Sequence, residues 1–166
     1  MKIIGDFDIE RARDYESLIE KCNSGEINLQ EKQGGRFNVI LNGEHALKHV
    51  YFGDLNTNIL DHKRENLIHE FNIGKGLEKI GIKVPRMHCV ALGNIPFLVM
   101  ERLNITHFSK LNEIKQEEFE NQYKEQIDKA ISNGYLPGDT NSHTNCGWDA
   151  KKGQVFFYDF GDWRIN

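Results

Sequence analysis

The spacing of apolar side chains along the chain switches between that of helices and that of strands, and it predicts the secondary structure. Residues 9–22 carry apolar side chains at helical spacing and end at Asn23-Ser24-Gly25, which is typical of a helix terminus. Residues 61–80 have the same period and stop at Gly81, and residues 113–131 repeat it. The apolar residues expected to pack inward from this last helix and the residues just before it are Leu111, Ile114, Phe119, Tyr123 and Ile127. The pattern therefore predicts three helices.

Between these helices, short apolar or alternating segments are bounded by turn residues, as is typical of strands. They are residues 27–29, 37–41, 45–50, 87–92 and 96–100, followed by a final hairpin of residues 146–148 and 155–158. Tight turns at Lys32-Gln33-Gly34-Gly35 and Asn42-Gly43 join the first three segments, so these segments predict an antiparallel meander. Helices and antiparallel strands in this order predict an α+β fold.

Composition narrows the class of protein. The chain has 166 residues, of which 39% are hydrophobic and 28% charged, which is typical of one globular domain. Its net charge of −4 gives no general electrostatic reason to bind nucleic acid or anionic lipid. There is no apolar run of membrane-spanning length, and the three cysteines are widely spaced, as in reduced proteins. We therefore expect a cytoplasmic domain, with neither nucleic acid nor a membrane as its partner.

Two acidic side chains stand out because of where the pattern places them. On a helical wheel of the second helix, Glu70 faces inward with the apolar residues, whereas Glu65 points to the opposite side. Those apolar residues are Leu67, Phe71, Gly74 and Leu77. Asp159 ends the apolar strand and precedes Phe160-Gly161, which suits either a metal ligand or a solvated strand end. The residues alone leave both interpretations open.

Six landmarks in chain order resemble those of the protein-kinase-like superfamily. They are Ala46-Leu47-Lys48, Glu70, Phe97-Leu98-Val99-Met100-Glu101, Gly138-Asp139, Asn145 and Asp159-Phe160-Gly161. The segment from Glu70 to Pro85 is similar to that of small atypical kinases, namely the KEOPS-complex kinase, RIO and aminoglycoside phosphotransferase-like groups. The resemblance spans residues 26–161 and implies a single kinase-like domain over residues 1–166. Its antiparallel N-lobe sheet, with a helix, would occupy about residues 1–101, and a minimal C-lobe ending after the Asp-Phe-Gly turn would occupy about residues 102–166.

The resemblance implies a binding site for ATP. Lys48 matches the family's phosphate-binding lysine, and Glu70 matches the helix glutamate that holds it. The backbone at Met100-Glu101 would contact adenine. Gly34-Gly35 stands in place of the longer glycine-rich loop that covers the phosphates in the family, although two glycines also suit an ordinary tight turn.

The resemblance also implies a catalytic base and a magnesium site. Asp139 would accept the proton of the acceptor hydroxyl, and Asn145 and Asp159 would supply the oxygen ligands that Mg²⁺ prefers. Asn145 lies six residues after Asp139, whereas the family has five, so Asn141 is an alternative ligand. Pro137 stands where the family has a histidine.

Two classes of function fit these residues. The first is an ATP-dependent phosphotransferase that moves the γ-phosphoryl group to a hydroxyl of a protein Ser/Thr or of a small molecule. The second is a pseudokinase, an interaction module with weak or no catalysis. Retention of lysine, glutamate, aspartate and metal-ligand residues together favours the enzyme.

A zinc site is less favoured, because His143 with Cys146, or His45 with His49, do not provide four ligands at recognisable spacing.

The short C-terminal part predicts a protein contact. Apolar side chains around Tyr123 and along Phe156–Tyr158 need cover, which a fold-back of the first helix or a second chain could supply. We therefore expect self-association or a protein partner on the C-terminal side, with Trp163 near the contact, because aromatic residues commonly anchor interfaces.

Overall fold

The computed structural model describes residues 1–27, 31–33, 37–50, 57–138 and 143–166. The chain forms two compact units. The first consists of Met1–Phe71 with Met87–Arg102, and the second of Asn72–Arg86 with Leu103–Asn166. Among the described residues, no helix is both long enough and apolar enough to cross a membrane.

The first unit is built on a six-stranded sheet in which each pair of neighbours is antiparallel. Its strands are β1 (Lys2–Gly5), β2 (Glu31–Gln33), β3 (Asn38–Asn42), β4 (His45–His49), β5 (Met87–Leu92) and β6 (Phe97–Glu101). Their order across the sheet is β1-β5-β6-β4-β3-β2, so β4 and β6 are neighbours in its centre. Helix α1 (Ile9–Asn23) belongs to this unit, and helix α2 (Thr57–Lys79) begins in it.

Helix α1 covers one face of this sheet. It starts at Asp8, whose carboxylate accepts a hydrogen bond from the Arg11 backbone N–H at 2.8 Å. Its buried residues pack with apolar side chains of β3 to β6; this core contains Ala12, Tyr15, Ile19, Ile40, Leu47, Cys89, Ala91, Ile95, Phe97 and Val99. Because successive side chains of a strand point to opposite faces, Lys48 lies on the other face from Leu47. Lys48 therefore lies on the face of the sheet that α1 does not cover.

A polar contact also ties α1 to the sheet. The Arg11 Nε donates a hydrogen bond to the Tyr15 hydroxyl at 3.0 Å, and that hydroxyl lies 2.8 Å from Nδ1 of His45 on β4. Burial and the neighbouring Arg11 charge lower the pKa of His45 below its ordinary value of 6.5, against an opposing effect of Glu44. The neutral ring fits this position, because the tyrosine hydroxyl can donate to Nδ1 only when that atom carries no proton.

The second unit contains helix α3 (Glu113–Ser132) and two small sheets. Strands β10 (Gln154–Phe157), β9 (Cys146–Asp149) and β7 (Ile105–Thr106) form one sheet in that order, and β8 (Tyr135–Leu136) pairs with β11 (Arg164–Ile165) in the other. A short 3-10 helix covers Phe108–Lys110. Two side chains of α3 bond to Val155 on β10: the Gln122 carbonyl accepts from its N–H at 2.9 Å, and the Gln126 amide donates to its C=O at 3.0 Å. These bonds fix the edge of the final hairpin.

The structure confirms the α+β fold and the antiparallel N-lobe sheet, and it corrects three details. The first meander strand is Glu31–Gln33, so Lys32-Gln33 is part of a strand and not of a turn; it pairs with Asn38–Ile40. Residues 28 and 29 of the predicted strand lie outside the described part of the chain. Strand β1, which pairs with β5, was not predicted.

The third correction concerns Ile114, which we expected to pack inward from α3. Its exposed fraction is 78%, whereas that of Phe119 is 0%. Ile114 precedes Phe119 by five residues, which places it about 140° around the helix from the buried stripe.

Candidate functional site

A buried ion pair joins the sheet to helix α2 in the first unit. The Lys48 Nζ donates to the Glu70 Oε2 at 2.7 Å, and the exposed fractions of the two side chains are 9% and 2%. Lys48 is held on β4 between Val39 of β3 and Leu98 of β6, its cross-strand partners. The structure therefore brings together the two residues that the sequence pairs.

Helix α2 turns Glu70 inward for the reason that its apolar period suggests. Leu67 and Phe71, on either side of it along the helix face, are buried, and Glu65 is exposed. Burying a carboxylate costs free energy unless a cation and hydrogen-bond donors compensate it. The ion pair with Lys48 therefore allows α2 to pack with Glu70 buried.

A second cation lies close to the first. The Lys48 ammonium is 5.2 Å and the Lys63 ammonium 5.7 Å from the centroid of the same aromatic ring, that of Phe37. Both positive charges therefore lie near one aromatic ring, and Lys48 is also paired with the carboxylate of Glu70. This donor set suits an anionic group such as a polyphosphate.

Strand β6 ends at the predicted adenine contact. Met100 pairs with Ala46 of β4, and Glu101 pairs with His45. The Arg102 N–H donates to the Glu44 carbonyl at 2.8 Å, so by the alternation of an antiparallel ladder the backbone N–H and C=O of Glu101 point away from β4. They point toward the side of β5, whose pairing with β6 ends at Met87↔Met100. The polar backbone of Glu101 thus lies at a strand end.

The two predicted metal ligands occupy the open end of the final hairpin in the second unit. The β9–β10 ladder pairs Cys146 with Phe157, and it continues by one bond of 2.9 Å from the Tyr158 N–H to the Asn145 carbonyl. Asp159 is the next residue and is exposed. Its φ of +62° is uncommon for a residue other than glycine, and such conformations concentrate at functional sites. A carboxylate and an amide oxygen are suitable ligands for Mg²⁺, so the residues present fit this ion.

The side chain of Tyr158 bonds to the segment around Asn145. Its hydroxyl lies 3.3 Å from the Thr144 carbonyl and 3.2 Å from the Cys146 carbonyl. Burial, with smaller effects of Cys146 and Asp159, raises the pKa of Tyr158 to about 12. Sequence reasoning missed this residue, because a tyrosine in an apolar strand carries no signal of a polar role.

His143 is placed among aromatic rings of the second unit. Its ring centroid is 4.7 Å from Phe108, 5.3 Å from Phe119 and 4.8 Å from Tyr123, and its Nε2 lies 3.4 Å from Glu120 Oε1. These contacts fix the start of the described segment 143–146 against α3.

Four of the predicted residues lie outside the described part of the chain. They are Gly34, Gly35, Asp139 and the alternative ligand Asn141. Their roles stay predictions. Gly138, directly before Asp139, is described, and a Cβ atom added to it would lie 2.6 Å from the Asp162 carbonyl oxygen. The backbone directly after the Asp-Phe-Gly turn is therefore packed closely against Gly138, at the start of the predicted catalytic loop.

Trp163 belongs to the interior of the second unit. Its exposed fraction is 3%, and its ring packs at 6.0 Å from Phe157 and 5.8 Å from Phe160. The expectation that it anchors an interface is wrong in this respect, because the ring is already covered by residues of its own chain. Association of the chain with itself or with another protein stays a prediction that does not depend on Trp163.

The buried thiols are unreactive by position. Burial raises the pKa of Cys89 and of Cys146 to about 12, with a smaller effect of Glu120 on Cys146.

Within the described ranges there is no group of three or more His, Cys, Asp or Glu side chains that could hold a metal ion by themselves. A magnesium ion held by Asn145 and Asp159 would therefore need further oxygen ligands from a bound phosphate or from water.

Comparison with known proteins identifies the fold. No family model matches the sequence, and no curated protein matches it. Among solved structures, the chain is similar to the Rio2 kinase of Chaetomium thermophilum in a complex with ADP/Mg²⁺ and phosphoaspartate, with a TM-score of 0.64 and 17% identity over 92% of this chain and 53% of that one. It is also similar to the kinase WbdD bound to a kinase inhibitor, with a TM-score of 0.60 and 20% identity over 84% of this chain and 34% of that one. A further WbdD structure, described as a bifunctional kinase-methyltransferase, has a TM-score of 0.58 and 17% identity over 78% of this chain.

These likenesses show that the chain has the protein-kinase-like fold, as the sequence landmarks predicted, and a RIO-group kinase is among the similar structures. The chain spans about half the length of the Rio2 structure and about a third of the WbdD structures.

Proposed function

We propose that the protein binds Mg-ATP and transfers its γ-phosphoryl group to a hydroxyl group of a protein or small molecule. The observation that carries the proposal is the buried Lys48–Glu70 ion pair within a kinase-like fold. Hydrophobic residues of similar volume generally serve stability as well as a buried ion pair does. The pair therefore calls for a functional reason, and holding a lysine ready for phosphate is one.

In this function, the first unit binds the nucleotide. Lys48, oriented by Glu70, binds the α- and β-phosphates, and the Phe37 ring carries a second cation, Lys63, close to it. The outward-directed backbone of Glu101 supplies one donor and one acceptor for the edge of adenine, beside Met100. Gly34 and Gly35 contribute backbone N–H groups to the phosphates.

The second unit supplies the remaining groups. Asn145 and Asp159 hold Mg²⁺, which when bound neutralises phosphate charge and orients the phosphates. Asp139 accepts the proton of the attacking hydroxyl. The left-handed backbone at Asp159 supports this role, because such conformations are uncommon for residues other than glycine and concentrate at functional sites.

A thermal-shift experiment tests the nucleotide site. Mg-ATP at 100 times its dissociation constant should stabilise the protein by about 2.7 kcal/mol, and Lys48→Met or Asp159→Asn should remove most of this. Lys75→Met is the matched control. Lys75 lies on α2, as Glu70 does, but it forms an exposed ion pair with Glu78. A shift that persists unchanged in both site variants would exclude this site.

Transfer is tested separately from binding. Asp139→Asn should keep the thermal shift and abolish the phosphate that mass spectrometry detects on the protein or on an added acceptor, because it removes a proton acceptor and no main phosphate contact. Full transfer by this variant would refute Asp139 as the base. Nucleotide binding by the wild-type protein with no transfer to any acceptor would instead support the pseudokinase alternative.

A further inference from the structure

Tyr158 contacts three consecutive carbonyl groups around one proposed metal ligand. Its backbone N–H donates to the Asn145 carbonyl at 2.9 Å, and its hydroxyl lies within hydrogen-bond distance of the Thr144 and Cys146 carbonyls, at 3.3 and 3.2 Å. The backbone bond continues the β9–β10 ladder. The single hydroxyl hydrogen is shared between these two carbonyls; this interaction is additional to the ladder, and a phenylalanine could not make it.

These bonds act on the two peptide planes that flank Asn145. The Thr144 carbonyl lies in the plane before Asn145, and the Asn145 carbonyl lies in the plane after it. The two planes together set the direction of the Cα–Cβ bond, and hence where the side-chain amide begins. Tyr158 is also the residue directly before Asp159 in the chain. The residue that fixes these planes is therefore bonded to the second proposed ligand.

We propose that Tyr158 is a positioning residue, which sets the separation and orientation of Asn145 and Asp159 as a pair of metal ligands. The inference rests on the proposed function, since it takes these two residues as the magnesium ligands. It adds a residue that no landmark of the fold assigns.

The rest of the segment is held independently of the Tyr158 hydroxyl. At one end, His143 is packed among the rings of Phe108, Phe119 and Tyr123. At the other end, Cys146 pairs with Phe157 in the β9–β10 ladder. Loss of the hydroxyl should therefore leave the segment in place and free the orientation of the peptide before Asn145.

The choice of metal ion distinguishes positioning from general stability. Mg²⁺ requires nearly ideal octahedral geometry, whereas Ca²⁺ accepts variable coordination. A ligand pair with a less fixed orientation should therefore lose more affinity for Mg²⁺ than for Ca²⁺. Partners that orient metal ligands are typically worth 10- to 100-fold in metal affinity.

The test is a titration of Mg²⁺ and of Ca²⁺ at a fixed concentration of ADP, monitored by thermal shift and calorimetry. In Tyr158→Phe the apparent dissociation constant for Mg²⁺ should rise about tenfold and that for Ca²⁺ by less than about threefold. ADP affinity without metal should not change. Tyr135→Phe is the control, because Tyr135 lies in the same unit with its hydroxyl against Gly76.

A pair of substituted phenylalanines provides the rescue test and serves if Tyr158→Phe does not fold. The variant with 4-aminophenylalanine at position 158 retains a donor, and the one with 4-methylphenylalanine has similar size without a donor. Only the amino variant should restore Mg²⁺ affinity.

Three results would overturn the inference. The role of Tyr158 would be refuted if Tyr158→Phe kept the wild-type affinity for Mg²⁺ while Asp159→Asn lost it. The proposed function would then still stand. An equal loss of affinity for Mg²⁺ and for Ca²⁺ in Tyr158→Phe would show that the hydroxyl contributes to stability alone. A wild-type protein with no metal-dependent binding of ADP would refute the inference and the magnesium site together.

Discussion

Removing one partner of the Lys48–Glu70 pair should be far more harmful to stability than removing both. The atoms are 2.7 Å apart, and the two side chains have exposed fractions of only 9% and 2%. Glu70→Leu leaves the Lys48 charge buried without its carboxylate, and Lys48→Met leaves the Glu70 charge buried without its cation. Each single substitution should lower the free energy of unfolding by about 3–5 kcal/mol.

The double variant Lys48→Met/Glu70→Leu removes both buried charges and keeps similar volume. Its free energy of unfolding should lie within about 1 kcal/mol of that of the wild-type chain, or above it, because the desolvation cost of both ions disappears with their attraction. The two singles would then be coupled by about 5 kcal/mol or more, which a double-mutant cycle measures directly. The double variant should nevertheless fail to bind Mg-ATP.

Urea unfolding at pH 7.5 provides the free energies, with the Lys75–Glu78 pair as the control. That pair has a similar length, 2.8 Å, on the same helix, but exposed fractions of 38% and 40%. Its removal should cost less than about 1 kcal/mol with little coupling. The reasoning would be refuted if Glu70→Leu cost less than about 1 kcal/mol, or if the destabilisation of the double variant equalled the sum of those of the two single variants.

Three further predictions concern other parts of the structure. Ile19→Ala should lower the free energy of unfolding by about 2–5 kcal/mol if α1 is an integral part of the first unit, whereas the exposed Ile9→Ala should cost less than about 1 kcal/mol; equal small effects in urea unfolding would contradict the packing. Gly138→Ala should cost about 1–3 kcal/mol because its Cβ would overlap backbone, whereas Gly161→Ala, whose Cβ would meet only a carboxylate oxygen at 3.9 Å, should be tolerated in the same assay. The lowered pKa of His45 means that, as the pH falls below 6.5, the unfolded chain binds a proton that the folded chain does not. Stability should therefore fall more steeply between pH 7 and the folded-state pKa in the wild-type chain than in His45→Gln, and equal slopes would remove this site as the cause.

The helices were largely determined by the sequence itself. The predicted helices 9–22, 61–80 and 113–131 correspond to Ile9–Asn23, Thr57–Lys79 and Glu113–Ser132. Their apolar period and their terminal residues act within a few turns of chain, so no distant contact is needed to locate them. For the same reason the inward direction of Glu70 could be predicted from its helical neighbours alone.

Other features depended on contacts between residues far apart in sequence. Strand β1 exists because Lys2–Gly5 pairs with β5, with Ile3 opposite Ala91. The register of β2 follows from its pairing with β3, which places Glu31 opposite Ile40. Because of this pairing, Lys32-Gln33 form part of a strand and not the predicted turn. Strand formation requires hydrogen bonds to a neighbour, and the chain near residue 3 or residue 32 carries no signal of which neighbour that is.

The candidate site shows the same division. The sequence by itself placed Asp159 at the end of a strand and Asn145 before one, because both follow from local patterns. The pattern also predicted that the two strands form one hairpin. Only the tertiary structure decided that Asp159 takes a left-handed backbone and that the Tyr158 hydroxyl lies within hydrogen-bond distance of the carbonyls on both sides of Asn145. A hydroxyl selects its acceptors by position in space, within about 3 Å, and an apolar strand pattern carries no information at that scale.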